Sequence, residues 1–337
     1  MEETGAESQN VAGVARPLRR TRPRLAGLIV GAVAIAALFA FMLHVGDLED
    51  FVRTARRADP AWILLALAAQ ALAFLTQASV WALALLRRES HVGLRDLFVL
   101  SIGKLFADQA IPSAGVSGAV FIVHAMTRRG VSAADAFAAF IFGATSFILM
   151  FAIFALGAFV ALFLSGGPLD EFAVNVSDLH YVAIVGVLLA FIIVALIFAA
   201  QENGALKSQA VKNAADSAVR AVRLIWLDRG LFAACLALQA IARLLDAVTL
   251  WIAFQALGGG VGFPICVAAI SLASLAATVA PTPMGLGSFE VGLIAALAAL
   301  GLEVETSFAG GVIYRGLSLF LPLAVGFFIV QRELLRK

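Results

Sequence analysis

The 337-residue chain is short of charge, cysteine and histidine. Charged residues make up 14% and hydrophobic residues 62%, against about a quarter and about half in an ordinary soluble domain. So little polar surface would not cover a soluble core of this size, which excludes soluble globular, disordered and collagen-like classes. The two cysteines, Cys235 and Cys266, both lie in apolar runs with no CxxC or histidine partner. They imply no disulfide framework, zinc site or redox compartment. Of the four histidines, His124 and His180 stand alone among apolar residues and read as packing groups. The sequence has no HExxH, no GxSxG and no two aspartates in matching helical contexts. Ser113 and Ser117 lie near Asp108, but no histidine is placed beside them to act as a base. The expectation is therefore a protein that is not an enzyme and carries no cofactor or metal. Basic and aromatic residues do not interleave in any soluble stretch, so nucleic acid is not an expected partner. A nucleotide-binding motif is also missing, which argues against direct coupling to ATP.

The chain is rich instead in long apolar runs, with a mean hydropathy of +0.99. Spanning strands would alternate every second residue, whereas these runs are continuous, so spanning helices are expected. Residues 1–25 form a polar arm with five arginines, expected to be disordered and cytoplasmic. Runs long enough to cross a bilayer (roughly 20 residues) follow at about 26–45, 61–86, 133–164, 180–200, 231–257 and 306–330. Two further apolar stretches, 97–127 and 263–301, are broken at Pro112-Ser113-Ala114-Gly115 and at Pro281-Thr282-Pro283-Met284-Gly285-Leu286-Gly287. The arms of the first are too short to span comfortably, and proline and glycine suit a turn between them. Both stretches read as re-entrant helical hairpins, with Pro112, Gly115, Gly118, Pro281, Pro283, Gly285 and Gly287 at the turns.

Basic residues set the orientation. With both termini cytoplasmic, the inner pieces hold five in the arm, three after the second span, two after the first hairpin, five in the 201–229 loop and three in the tail. The outer pieces hold only Arg53, Arg56 and Arg57, and Lys104, Arg243 and Arg315 fall inside apolar segments. This bias meets the positive-inside rule and predicts a multi-pass protein of the cytoplasmic (inner) membrane. It does not separate paired re-entrant arms from paired full crossings. Residues 205–227 carry an apolar stripe at helical spacing with Lys212, Arg220 and Arg223 off it. They read as an amphipathic helix on the inner leaflet or, alternatively, as a solvated connector.

An internal repeat relates the broken stretches. At a shift of 170, Ser101, Leu105, Ala107, Ala110 and Gly115 meet Ser271, Leu275, Ala277, Ala280 and Gly285. One residue of slippage then places Gly130 on Gly301. The expected architecture is all-α and polytopic, with six full spans and two hairpins in two inverted-topology repeats. The first repeat covers 26–165, an outer loop covers 166–179, the second repeat covers 180–331, and 332–337 is a cytoplasmic tail. Inverted repeats with broken helices near the midplane are a recurrent transporter plan.

Six charges lie within apolar segments, and each needs a reason there. Lys104 and Asp108 are four apart on the first hairpin, and Arg243 and Asp246 are three apart in the fifth span. Glu290 opens the second arm of the second hairpin, and Arg315, expected to pair with it, lies in the last span. One reading makes these three internal ion pairs. The other makes them a polar cavity for a charged head group, with Lys104, Arg243 and Arg315 facing its phosphate and the acids as counter-ions, the arginines being the better phosphate contacts. The glycine-rich turns also have backbone amides that an anion can use at a half-helix N-terminus.

The stretch PTPMGLGSFE (281–290), followed by Gly301 and Tyr314-Arg315, resembles the second signature of the lysylphosphatidylglycerol synthase transmembrane (flippase-like) family. That signature has a PxxxGxG loop, a Glu shortly after it, and an Arg in the last long helix. IPSAGVSGAVFIVHAMTRRGVS (111–132) is similar to the family's earlier signature in its Pro, its Gly and its closing Gly-Val-Ser. The resemblance covers about 26–330. Many members carry an acidic residue just after the first-motif glycine and an Arg soon after. Here those places hold Val116, Ser117, Gly118 and Ala119. The resemblance implies a lipid transporter or flippase without the soluble synthase domain, moving a phospholipid or other anionic or polyprenyl-type lipid between leaflets. Small-solute or ion-coupled secondary transport and a non-transporting membrane scaffold stand as alternatives, and the oligomeric state is open.

Overall fold

The computed structural model describes residues 60–86, 90–110, 116–164, 228–279 and 287–335, all helical apart from short connections. The expected spans at 26–45 and 180–200, the basic arm, the outer loop, the amphipathic helix at 205–227 and residues 336–337 lie outside them. So do turn residues Pro112, Gly115, Pro281, Pro283 and Gly285.

Nine helices follow in chain order among the described residues. They are α1 (Pro60–Leu86), α2 (Leu94–Ala110), α3 (Val116–Thr127), α4 (Ala133–Leu164), α5 (Arg229–Ala256), α6 (Phe263–Val279), α7 (Ser288–Ala299), α8 (Val304–Arg315) and α9 (Leu321–Leu335). Helix α8 runs into α9 through a π-helical stretch, Gly316–Phe320. The cause is local in sequence. Pro322 has no N–H and its ring crowds the carbonyl one turn back, so the ladder loosens and Leu321 N–H donates to Gly316 O, five residues away.

Among the described residues, four helices are long and apolar enough to cross a membrane: α1, α4, α5 and the joined α8–α9. The 27 residues of α1 rise about 40 Å, more than the roughly 30 Å of hydrocarbon in a bilayer. Helices α3, α6 and α7 are apolar but shorter. The 12 residues of α3 rise only about 18 Å. The sequence-based boundaries of all four spans hold to within about five residues. Start signals explain two of them. Asp228 caps α5 by accepting from Leu231 N–H, and Ser132 does the same for α4 by accepting from Asp135 N–H at 3.1 Å.

Helices α2 and α3 pack on each other as one antiparallel pair, and α6 and α7 as another. Both pairs end the same way. After α3, Val131 N–H reaches back to Met126 O with Gly130 at φ +90°; after α7, Leu302 N–H reaches back to Leu297 O with Gly301 at φ +91°. A side chain at either glycine would meet the left-handed penalty, so this pattern of closure calls for glycine.

The most extensive pairing is α1 with α5. Around it, α2 packs on α1 and α9, while α6 packs on α5 and α4; α3 packs on α4, and α7 on α8. The two larger apolar cores among the described residues gather Trp81, Leu97, Leu100, Ile122, Met126 and Phe142 in one, and Leu250, Phe254, Ile270, Leu293 and Leu297 in the other; a smaller one joins Ala66, Ala69 and Ile252. Lipid tails are as apolar as these side chains, so close packing rather than escape from water favours the association.

Candidate functional site

A cavity of about 1130 Å³ lies among α1, α2, α3, α4, α5, α8 and the π-helical stretch. Lys104, Asp108, Arg243, Asp246 and Arg315 all line it. Glu290 stands behind Arg315, so all six charges singled out in the sequence gather at one place.

Each hairpin contributes a carboxylate with two tasks. In the first, Asp108 Oδ2 accepts from Lys104 Nζ at 2.6 Å while Oδ1 accepts from Gly118 N–H at 2.8 Å. Asp108 thus caps the N-terminus of α3 from the preceding arm. Gly118 is the third residue of α3 rather than part of the turn, which corrects the expected assignment. A Cβ there would run into the Asp108 carboxyl group, so the close approach requires glycine. In the second hairpin, Glu290 Oε2 accepts from Gly287 N–H at 2.7 Å and Oε1 accepts from Arg315 Nε at 2.5 Å. The expected Arg315–Glu290 pair is formed. Gly287, at φ +85°, is the N-cap of α7.

This arrangement corrects a second expectation. The amides of Gly118 and Gly287, offered above as a seat for an anion, already bind these carboxylates. Negative charge at both half-helix N-termini comes from the chain itself. Each acid caps a helix and at the same time pairs with a cation, Lys104 or Arg315.

The arginines have different surroundings. Arg315 is 8% exposed, its guanidinium lies 4.5 Å over the Phe289 ring, and its Nη2 is buried with no hydrogen-bond partner. A buried donor of this kind costs about 1–3 kcal/mol until something accepts from it. Arg243 sits over the stacked rings of Phe147 and Phe151, at 5.0 and 5.3 Å. Its Nη1 is 3.8 Å from Asp246 Oδ2, too long for a hydrogen bond. Arg243 is therefore held by ring faces and left open to a better acceptor.

Several neutral groups in the cavity escaped the sequence reading, which weighed formal charges only. Gln70, Gln77 and Gln239 line it, with Tyr314 and Ser318. Gln239 donates to Gln77 Oε1 and to Gly143 O, both at 3.5 Å, and Gln70 Oε1 accepts from Thr249 Oγ1 at 3.4 Å. Gln70 also neighbours Asp246, and Tyr314 neighbours Ser318. Three amides within apolar spans are a legible signal, because each needs a partner in hydrocarbon.

The rim is apolar. Val116 and Val120 of α3 and Phe147 and Ile148 of α4 line the cavity and are 61%, 64%, 42% and 53% exposed. The cavity continues between these two helices to Thr127 and Ala133, at the end where α3 finishes and α4 begins. Close to that end a second ion cluster binds α3 to α9. Arg129 grips Glu333 with two bonds of 2.9 and 2.8 Å, and Arg128 Nη1 donates to Glu333 O at 3.1 Å. The hydrogen bonds to Glu333 raise the Arg129 pKa above its ordinary value. The positive-inside count had treated Arg129 only as a loop charge.

A family model described as the lysylphosphatidylglycerol synthase TM region matches residues 25–326. No curated protein matches the sequence.

Proposed function

The chain belongs to the lysylphosphatidylglycerol synthase transmembrane-region family, and from that premise we propose that it moves an anionic lipid between the leaflets of the inner membrane. A multi-pass membrane protein of a lipid-handling family is the starting point. One observation carries the step to transport: a single cavity joins buried cations to an exposed apolar rim. Arg243 and Arg315 suit a phosphate inside, while Val116, Val120, Phe147 and Ile148 suit tails that stay in the bilayer. A carrier of small solutes has no use for an apolar rim beside its charged site. The lipid crosses unchanged, with no bond made or broken.

The packing supports an inverted-repeat mechanism. Matching α1–α4 with α5–α9 in order exchanges the helix contacts: α2 on α9 with α6 on α4, α1 on α2 with α5 on α6, and α3 on α4 with α7 on α8. Side chains follow. A shift of 169 sets Gln70 on Gln239 and Gln77 on Asp246, so the bonded pair Gln77–Gln239 and the neighbours Gln70 and Asp246 change places. Related halves of this kind can rock about the α1–α5 contact and expose one site to each leaflet in turn. With cytoplasmic termini, the gap between α3 and α4 faces the inner leaflet in this state.

The test is leaflet exchange of a labelled phosphatidylglycerol in vesicles containing the full-length protein. Arg243→Gln should abolish exchange in protein that still folds, because glutamine keeps an N–H donor beside Asp246; the unfolding midpoint of the variant is measured alongside. Arg243→Lys should restore only part, because lysine keeps the charge but loses the planar fork. Unchanged exchange in Arg243→Gln would remove this arginine, and with it the phosphate site, from the mechanism.

A further inference from the structure

We infer that the transported lipid carries a hydroxylated head group with no ammonium: a glycerol- or sugar-phosphate head rather than an aminoacyl or ethanolamine one. The inference rests on the transport reading and specifies its substrate.

The carboxylates decide against an ammonium. Among the described residues, those lining the cavity are Asp108 and Asp246, with Glu290 just behind Arg315. Both oxygens of Asp108 are engaged, one by Lys104 and one by the α3 N-terminus. Both oxygens of Glu290 are likewise engaged, by Arg315 and by Gly287 N–H. Asp246 has Gln70 beside it and the Arg243 guanidinium at 3.8 Å. An incoming ammonium would have to displace a cation or a helix cap, and would stand beside Lys104 or Arg243 while doing so. Like charges at such range repel strongly in a site poor in water. The aromatic faces near Arg243, which would otherwise attract a cation, are already covered by its guanidinium. The unmet need runs the other way, for an acceptor at Arg315 Nη2.

The neutral groups decide for hydroxyls. A phosphate needs donors only, whereas the cavity wall mixes donors and acceptors in Gln70, Gln77, Gln239, Tyr314 and Ser318. A carboxamide offers two N–H donors and a carbonyl acceptor, the combination that holds a vicinal hydroxyl pair. The present contacts of these amides, at 3.4–3.5 Å, are at the outer limit of hydrogen bonding. A bound hydroxyl can replace them with shorter bonds.

Binding of defined lipids to the full-length protein in phosphatidylcholine nanodiscs, read by native mass spectrometry, tests this. Phosphatidylglycerol should bind about tenfold or more tighter than lysyl-phosphatidylglycerol or phosphatidylethanolamine. It should also bind several-fold tighter than phosphatidic acid, which has the phosphate without the hydroxyls. Gln77→Leu should lower phosphatidylglycerol to the level of phosphatidic acid and leave phosphatidic acid unchanged; Gln70→Leu serves if the first variant does not fold. A polyprenyl-phosphate sugar in place of phosphatidylglycerol distinguishes the two tail types within the same head-group class. Equal or tighter binding of either amine lipid would overturn the exclusion of an ammonium. Equal binding of phosphatidylglycerol and phosphatidic acid, unaffected by Gln77→Leu, would overturn recognition of hydroxyls. Absence of any anionic-lipid binding sensitive to Arg243→Gln would instead bring down the transport reading on which both depend.

Discussion

Replacing Gly118 by alanine should destabilise the protein through a contact ten residues away in sequence. A methyl group at 118 occupies the place of the Asp108 carboxyl group, so the carboxylate must swing out. Its bond to Gly118 N–H, 2.8 Å long, is then lost, and a charge-assisted bond of this kind contributes about 1.5–3 kcal/mol. The Lys104–Asp108 pair adds only a few tenths more, since its side chains are 26% and 19% exposed and such i,i+4 pairs are weak. Alanine offsets part of the loss, because it favours a helix over glycine by about 0.5–1 kcal/mol. The net destabilisation is about 1–2 kcal/mol. The sign should reverse when Asp108 is first replaced by alanine: with no carboxylate to displace, Gly118→Ala should stabilise by about 0.5–1 kcal/mol. Reversible unfolding in mixed detergent micelles, measured on wild type, both single variants and the double variant, gives the coupling directly. A Gly118→Ala variant as stable as wild type, or one equally damaging in both backgrounds, would refute the capping role of Asp108.

Glu333→Ala should cost about 3 kcal/mol, as expected for removing one partner of a largely buried pair, because Arg129 and Glu333 are 14% and 9% exposed; the same unfolding assay reads it. A raised arginine pKa contributes stability that is complete below the unfolded value and lost only above the folded one, so titration from neutral to about pH 10 should leave this clamp intact. Gly310→Ala should cost about 1–3 kcal/mol by overpacking, since its methyl would enter the buried ring of Phe254; a rise in stability would contradict the packing of α8 on α5. Cysteines replacing Ser113 and Met284 should react slowly with aqueous thiol reagents, and fast labelling from the face opposite each hairpin's base would reject re-entrant arms.

Span boundaries were legible because length and hydropathy are properties of a segment alone. The runs at 61–86, 133–164, 231–257 and 306–330 became α1, α4, α5 and α8–α9 with only terminal differences. The six intramembrane charges were legible for a similar reason: any charge in hydrocarbon calls for a partner. The Arg315–Glu290 pair followed from their places in one signature. Gln70, Gln77 and Gln239 were missed, although the same rule applies to an amide within a span. Glu333 was missed for another reason. Near the chain end it looks like one more polar tail residue, and only the packing of α9 on α2 brings it to Arg129.

Sequence alone determined that the chain crosses a membrane, that two of its apolar stretches are interrupted by proline and glycine, and that buried charge must be reconciled within it. These follow from the transfer cost of each segment, which does not depend on its neighbours. Tertiary structure decided which charges are spent and which are available. Asp108 and Glu290 are four-valent acceptors anywhere in the chain, but only folding aims them at Gly118 and Gly287 and so closes the helix ends to a ligand. Arg243 and Arg315 are equal on paper. Folding lays one over two phenylalanine rings and leaves the other with a buried, unanswered N–H. Hydrogen bonds reach only about 3 Å, so partners 25 residues apart in the chain, or 205, are assigned by packing and by nothing shorter in range.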